Sequence, residues 1–226
     1  MNISTYFLLI GLPLLLALWS QYRVTSVLNR YTKIASPRGL TGAEVAQQIL
    51  DASGIDDVTV IQTEGFMGDH YNPTNKTLNL SSATFLGTSI AAIGIAAHEC
   101  GHALQHQEHY LPLQWRSALV PATKFSSQIL PFVVLGGFFF HMTHLITLGI
   151  ACYAILMLFQ LITLPVEFDA SSRAKTILQK MDLIQSPLEI QGVHAVLNAA
   201  AWTYIAAFVA ALGNLIYLLL VRREER

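Results

Sequence analysis

The chain has 226 residues, of which 53% are hydrophobic and only 12% are charged. Its mean hydropathy of +0.48 is too high for an ordinary soluble domain of this length, so the composition predicts an integral membrane protein. The formal net charge is -1 and no basic run exceeds a few residues, which excludes the electrostatic footprint of a nucleic-acid-binding protein. Cys100 and Cys152 lie far apart in apolar surroundings and are predicted to be buried thiols.

The first apolar stretch, FLLIGLPLLLAL, predicts a transmembrane helix over residues 1–20 of what we expect to be a single domain, 1–226. A cleaved signal peptide is the alternative interpretation. The start MNIST has no lysine or arginine, and no A-x-A site follows before Gln21 and Arg23. We therefore favour an uncleaved anchor.

A more polar part follows from residue 41. Thr41 and Glu44 form a capping box, and apolar residues at helical spacing continue to a stop at Gly54, which predicts a short amphipathic helix. Residues 58–63 and 76–81 are β-branched or alternating and are separated by the turn-rich sequence GDHYNPTN. Two short strands are expected there.

Good helix-forming residues then run from Ser89 to Gln107, but the purely apolar part, Ile90 to Ala97, is much too short to span a bilayer. This segment predicts a helix buried within the polar part of the protein.

Three further spans are predicted at 118–140, 143–166 and 198–221, with a turn near His141 to His144. Lys124 then falls inside the second span, where it snorkels, lines a polar cavity or marks a later helix start. These three possibilities stay open at the level of sequence.

The sequence His98-Glu-Cys-Gly-His102 matches H-E-x-x-H, which places two imidazoles on one face of a helix, one turn apart. Each can offer a nitrogen to one Zn²⁺. Glu99 is then the expected general base, which takes a proton from zinc-activated water and delivers it to the leaving amine. The fold class expected is a mainly α-helical membrane protein of about four spans, with a small α+β zincin-like part at 41–117.

A catalytic zinc normally takes three protein ligands, so a third donor is needed. The longer motif H-E-x-x-H-x-x-G-x-x-H is absent, because Gln105 and Glu108 occupy its glycine and last histidine positions. His106 and His109 are more easily explained as surface histidines. The preferred donor lies in the connection 167–197: Glu167 belongs to an acidic pair that follows a long apolar span, a costly position unless it has a function. The alternative is an interfacial carboxylate that caps a new helix behind Pro165.

Four stretches of this chain resemble the bacterial membrane-bound neutral zinc metallopeptidases, the YugP-like family. They are DHYNPTNKTLNLS from Asp69, SIAAIGIAAHECGHALQH from Ser89, LPVEFDASSRA from Leu164 and LNAAAWTYIAA from Leu197. The resemblance covers nearly the whole chain. It implies one Zn²⁺ per chain carried by His98, His102 and Glu167, with Glu99 as catalytic base. It also implies an edge strand within 69–81 to which a peptide substrate can add by backbone pairing.

The chain is more distantly similar to the heat-shock membrane peptidases and the CAAX prenyl endopeptidases. In those groups an aspartate four residues after the glutamate usually orients a zinc histidine. Here that position is Ser171, while Asp169 is expected to face another direction on a helix. A hydroxyl of Ser171 or Ser172 is the alternative partner.

Hydrolysis also calls for a donor to the developing oxyanion. Three residues are candidates, each also explicable by packing or capping: His194, Tyr204 and Tyr71. His194 is preferred, because it precedes a span on the predicted catalytic side.

Four spans place the H-E-x-x-H sequence and Glu167 on the same membrane face. The basic residues expected on that face outnumber those at the other end: Arg23, Arg30, Lys33, Arg38, Arg116, Arg173, Lys175 and Lys180 against Arg222, Arg223 and Arg226. The positive-inside rule therefore predicts a protein of the bacterial inner membrane with a cytoplasmic active site.

The expected activity is zinc-dependent endopeptidase cleavage of a polypeptide, including one bound to the membrane, with the lipid bilayer as the other partner. One alternative is a non-catalytic zinc-binding membrane adaptor, against which the intact Glu99 argues. Another is a transporter that uses His141 and His144, but these fall at the expected turn.

Overall fold

Helices make up most of the fold, and one small sheet precedes the helix that carries the H-E-x-x-H sequence. The computed structural model describes residues 3–64, 68–140 and 142–224. In chain order the elements are α1 (Ile3–Tyr31, with a π-helical turn at Phe7–Gly11), α2 (Gly42–Ala52), β1 (Thr59–Thr63), β2 (His70–Asn72), β3 (Thr77–Ser81), α3 (Ser82–Phe85), α4 (Ile90–Gln107), α5 (Leu111–Phe140), α6 (Thr143–Lys180) and α7 (Pro187–Glu224).

Four of these helices, α1, α5, α6 and α7, are long and apolar enough to cross a membrane. Many of their large apolar side chains are exposed, as in Phe132 and Phe139 of α5, which are 78% and 77% accessible. Such surface is expected to contact lipid. The prediction of a mainly helical integral membrane protein with four spans and a small sheet is confirmed.

Two of the long helices extend beyond their predicted spans. Helix α5 already begins at Leu111, so Lys124 does not mark a helix start, and its side chain is exposed. Helix α6 runs without a break through Pro165 to Lys180. Glu167 therefore lies inside a helix, and its interpretation as the cap of a new helix is wrong. The predicted turn near 141–144 falls between α5 and α6, although His141 itself lies outside the described residues.

The chain divides into two compact units. The first consists of 3–21, 114–140, 142–165 and 202–224, and it contains the most apolar parts of the four long helices. The second consists of 22–64, 68–113 and 166–201, and it contains the sheet and all of α4. The single domain expected over 1–226 stays a prediction.

The sheet in the second unit has three strands in the order β1-β3-β2. Strand β3 is parallel to β1 and antiparallel to β2, so that β2 forms one edge. The residue pattern predicted β1 and β3 but not β2, which lies within the turn-rich segment, in the range 69–81 where the family resemblance implies an edge strand. The turn that follows β2 explains how a strand fits there: the Asn72 side chain accepts a hydrogen bond from the Thr74 amide, and Lys76 adopts a positive φ of 52°.

The core of the second unit forms between α2, the sheet and α4. The predicted capping box at the start of α2 is present, with Thr41 and Glu44 bonded reciprocally at 3.2 and 2.8 Å. The apolar face of α2 is fully buried, including Ile49 and Leu50, and it belongs to the same cluster as Leu78 of β3. This packing fixes α4 against the sheet.

Candidate metal centre

Helix α4 carries the H-E-x-x-H sequence and is buried over most of its length. It begins at Ser89, whose hydroxyl accepts a hydrogen bond from the Ala92 amide at 3.2 Å. It is not among the four helices that could cross a membrane, as its short apolar stretch predicted. The helix is instead a rigid support inside the second unit.

A glycine within the motif allows α4 to touch α6. A Cβ atom built at Gly101 would lie 2.6 Å from the carbonyl oxygen of Ala170 and 3.0 Å from its Cα. No side chain fits in that space, so the two backbones meet directly. The contact lies beside His102 on one helix and about one turn from Glu167 on the other, which explains how these residues come together.

The two histidines and the glutamate predicted as metal ligands converge on one point. The Nε2 atoms of His98 and His102 lie 3.2 and 3.7 Å from the same carboxylate oxygen, Oε2 of Glu167. The donor atoms of all three residues lie within 4.8 Å of one another. Glu167 is only 2% exposed and His102 only 7%.

This donor set fits zinc. Ligand bonds of about 2.0–2.2 Å in a tetrahedral site separate the donor atoms by about 3.3 Å, close to the two distances from Oε2 of Glu167 to the histidine nitrogens. Two imidazoles and one carboxylate are also a usual set for a catalytic zinc, with one position left open. A divalent cation at this point would balance the charge of the buried Glu167 carboxylate.

The electrostatics of His102 are consistent with a cation site. Burial alone lowers the pKa of this imidazole, but the Glu167 carboxylate, whose Oε2 is 3.7 Å from Nε2, and the negative charge of Glu99 outweigh it, so the pKa is raised. The surroundings thus favour positive charge at the place where the metal is expected.

The outer nitrogens of both histidines have partners. Nδ1 of His98 lies 3.2 Å from the Ser171 hydroxyl, which is the alternative partner named from the sequence. Nδ1 of His102 lies 3.0 Å from Oε1 of Gln105, which the sequence interpretation used only to exclude the longer motif. Asp169 contacts neither imidazole but accepts a hydrogen bond from Gln105 at 2.8 Å. The spacing of three residues between His102 and Gln105 on one helix face could have indicated this pair.

Glu99 lies in the same helix turn as the histidines and is 7% exposed. Its Oε2 accepts a hydrogen bond from the backbone N–H of Tyr71 at 3.0 Å. Tyr71 is in the edge strand β2, so a strand that the residue pattern did not predict is the one that positions Glu99.

The remaining site candidates lie elsewhere. His106 hydrogen-bonds through Nδ1 to the Tyr71 hydroxyl at 2.8 Å, and neither His106 nor His109 belongs to the metal-ligand group. The Tyr71 pKa is raised to about 12, by burial and then by the charge of Asp57, so this phenol stays protonated. Nε2 of His194 is buried without a hydrogen-bond partner in the described part of the chain. Tyr204 belongs to the first unit.

An open cleft of about 430 Å³ lies along α4 on the side of Tyr71 and His106. Its lining includes Asp56 and the ion-paired side chains of Asp57 and Lys76. The cleft borders strand β2 through Tyr71, but neither the three metal ligands nor Glu99 line it.

Cys100 stands between Glu99 and Gly101 but does not face the ligands. It is fully buried, and its Sγ donates to the carbonyl oxygen of Ala46 at 3.6 Å. Burial raises the pKa of this thiol far above its usual range. Both cysteines are free and buried, as predicted.

The model of one protein family, described as "Putative neutral zinc metallopeptidase", matches residues 6–223. The chain belongs to this family. "Putative membrane protease YugP" of Bacillus subtilis (strain 168) is 44% identical over 206 residues, which are 91% of this chain and 91% of that protein. No solved structure matches the chain. The resemblance seen in the sequence is confirmed, and membership of a zinc metallopeptidase family agrees with the donor set formed by His98, His102 and Glu167.

Proposed function

We propose that this chain is a membrane-embedded zinc-dependent endopeptidase in which His98, His102 and Glu167 hold one zinc ion and Glu99 is the general base. The observation that carries the proposal is the convergence of three donor atoms, two of them on the buried residues His102 and Glu167, beside a carboxylate fixed by the edge strand. When bound, zinc supplies Lewis-acid chemistry, which polarises the scissile carbonyl and lowers the pKa of water.

The arrangement of Glu99 suits proton transfer. One carboxylate oxygen, Oε2, is anchored by the Tyr71 amide, while Oε1 has no hydrogen-bond partner among the described residues. An anchored carboxylate with one free oxygen can take a proton from the attacking water and pass it to the leaving amine without reorienting.

Strand β2 suits the binding of an extended polypeptide. It is a sheet edge, and the Tyr71 amide points away from β3 toward Glu99. In an antiparallel pair the N–H and C=O of one residue point to the same side, so the Tyr71 carbonyl is also directed outward. A substrate strand can donate an amide hydrogen to that carbonyl and so lie next to the general base.

For the developing oxyanion we propose His194, because its buried Nε2 has no other hydrogen-bond partner in the part of the chain that is described. The Tyr71 hydroxyl is a weaker candidate, since it is already bonded to His106. If His194 has this role, His194→Ala lowers kcat with little effect on KM, because the interaction exists only in the transition state.

The proposed setting is the bacterial inner membrane, with the site on the cytoplasmic side and membrane-proximal polypeptides as substrates. The excess of lysine and arginine on that side of the predicted spans supports this orientation.

The test compares wild type with Glu99→Gln after purification in detergent. Bound zinc is measured per chain, and cleavage of casein or a peptide library is followed. We expect wild type to cleave and Glu99→Gln to retain zinc with turnover lost, while the matched control Glu44→Gln, in the exposed capping box of α2, remains active. Equal cleavage by wild type and Glu99→Gln excludes the mechanism. Zinc bound by wild type without any turnover favours the non-catalytic adaptor.

A further inference from the structure

The side chain of Gln105 is completely buried beside the metal-ligand group and makes three hydrogen bonds. Nε2 lies 2.7 Å from the carbonyl oxygen of Val166 and 2.8 Å from Oδ2 of Asp169, and Oε1 lies 3.0 Å from Nδ1 of His102. Both amide hydrogens and one lone pair of the amide oxygen are therefore used.

The partners of Gln105 determine which way its amide faces. A backbone carbonyl can only accept, and Asp169 also accepts a hydrogen bond from Arg173 at 2.6 Å, as an ionised carboxylate does. The opposite orientation would place the amide oxygen against two acceptors. The NH₂ group therefore points to Val166 and Asp169, and the oxygen points to His102.

An amide oxygen accepts but cannot donate, so Nδ1 of His102 must carry the proton of the neutral imidazole. Nε2 then presents its lone pair toward Glu167, which is the form that ligates a metal. Oε2 of Glu167 is 3.7 Å from Nε2 of His102, beyond hydrogen-bond distance, so no hydrogen bond to Glu167 holds the proton on Nε2.

We propose that Gln105 is a positioning residue that fixes the metal-binding tautomer of His102 before a metal arrives. This inference rests on the zinc site of the proposed function, but not on peptidase turnover. In many zinc sites a carboxylate hydrogen-bonds directly to the ligand histidine. Here the neutral amide of Gln105 lies between the Asp169 carboxylate and His102.

Asp169, the acceptor for the Gln105 amide, is held by an ion pair with Arg173. Arg173 binds Asp169 through Nε and binds Glu108, just beyond the end of α4, at 2.7 Å. Asp169 is thereby held in place and charged. Its charge polarises the Gln105 amide and strengthens the hydrogen bond that the amide oxygen accepts from His102.

His98 provides an internal contrast. Its Nδ1 faces the Ser171 hydroxyl, which can donate or accept and so permits either tautomer. Its Nε2 lies 3.2 Å from Glu167, within hydrogen-bond distance. Without metal, neutral His98 is therefore expected to keep its proton on Nε2 and to move it to Nδ1 when zinc binds, whereas His102 does not change.

The test is ¹⁵N NMR of the histidine side chains in the full-length protein, purified in detergent, without metal and after zinc loading. The pH is set high enough for neutral imidazoles, and the signals of His98 and His102 are assigned from variants of each. We expect Nδ1 of His102 to be protonated in both states. A proton on Nε2 of His102 in the metal-free wild type overturns the proposal, and this measurement does not depend on a variant at Gln105 that folds.

Variants extend the test. Gln105→Met keeps the size of the side chain but removes its hydrogen bonds. Gln107→Met makes the same change two residues away, where, among the described residues, the amide hydrogen-bonds to the carbonyls of Ser53 and Gly54. By chelator competition, zinc should bind Gln105→Met about 10–100-fold more weakly than wild type. The His102 tautomer should become mixed in that variant, and both properties should stay unchanged in Gln107→Met. An unaltered tautomer in a folded Gln105→Met variant shows that Gln105 has only a structural role.

Zinc affinity and tautomer can be measured on a protein that does not cleave. If wild type binds zinc but cleaves nothing, the peptidase proposal fails and this inference is unaffected. If wild type cleaves but His102 carries its proton on Nε2, only this inference fails.

Discussion

Gly101→Ala is the sharpest test of how the metal centre is assembled. The new Cβ would lie 2.6 Å from the Ala170 carbonyl oxygen, whereas carbon and oxygen atoms in contact are normally about 3.3 Å apart. Helices α4 and α6 must therefore separate locally by about 0.7 Å. Ligand distances in a metal site tolerate only about 0.2 Å, so Glu167 can no longer reach the position set by the two histidines.

Two opposing energies act in this variant. Overpacking of this kind costs about 1–3 kcal/mol, while replacing a glycine inside a helix with alanine recovers about 1 kcal/mol. We expect a small loss of thermal stability and a zinc affinity at least about tenfold lower, which corresponds to about 1.4 kcal/mol. Chelator competition and thermal unfolding in detergent measure the two effects.

The matched control is Gly94→Ala on the same helix. Its Cβ would meet Val193 at 3.5 Å, an ordinary contact, so this variant should gain stability and bind zinc as wild type does. Wild-type zinc affinity in a folded Gly101→Ala variant would refute the idea that the backbone contact at Ala170 sets the ligand geometry.

Three further predictions concern ligation, the general base and orientation. Glu167→Ala should reduce bound zinc well below one ion per chain in elemental analysis; unchanged stoichiometry removes Glu167 from the site. Tyr71→Phe should retain most of the activity, because it loses only the hydrogen bond between the Tyr71 hydroxyl and His106. Tyr71→Pro removes the backbone N–H that donates to Glu99, a hydrogen bond worth about 1.5–3 kcal/mol, and should lower kcat by at least about tenfold. A parallel effect of both variants contradicts a backbone role. With a cytoplasmic site and four spans, alkaline phosphatase fused after Arg223 should be active outside the cytoplasm, and a fluorescent cytoplasmic reporter at the same place argues for the reverse orientation.

The sequence predicts well those features that depend on neighbouring residues. The capping box at Thr41, the buried helix from Ser89 and the pair His98 and His102 each follow from spacing along a few turns of chain. Glu167 needed more, because from the residues alone its role as a ligand and its role as a helix cap were both open. The continuous helix through Pro165 excludes the cap, and the resemblance to the family had already favoured the ligand.

The features that the sequence did not predict depend on distant contacts. Strand β2 has only three residues and few apolar ones, and it exists because β3 pairs with it across a tight turn. Gln105 hydrogen-bonds to Val166 and Asp169, which are 61 and 64 residues away along the chain, and no periodicity in the sequence indicates such contacts. Asp169 was expected to face away from the ligands, and it contacts neither imidazole. It is linked to His102 through the Gln105 amide, which hydrogen-bonds to both residues.

The placement of Cys100 has a consequence for which metal the site accepts. A thiolate between two histidines would attract soft ions such as Cu⁺ and would be open to oxidation. Here the sulfur is turned to the Ala46 carbonyl, sealed from solvent and held as a thiol. Among the described residues, two imidazole nitrogens and one carboxylate oxygen converge, so a sequence with cysteine inside its H-E-x-x-H motif presents a donor set without sulfur, as suits a borderline divalent ion.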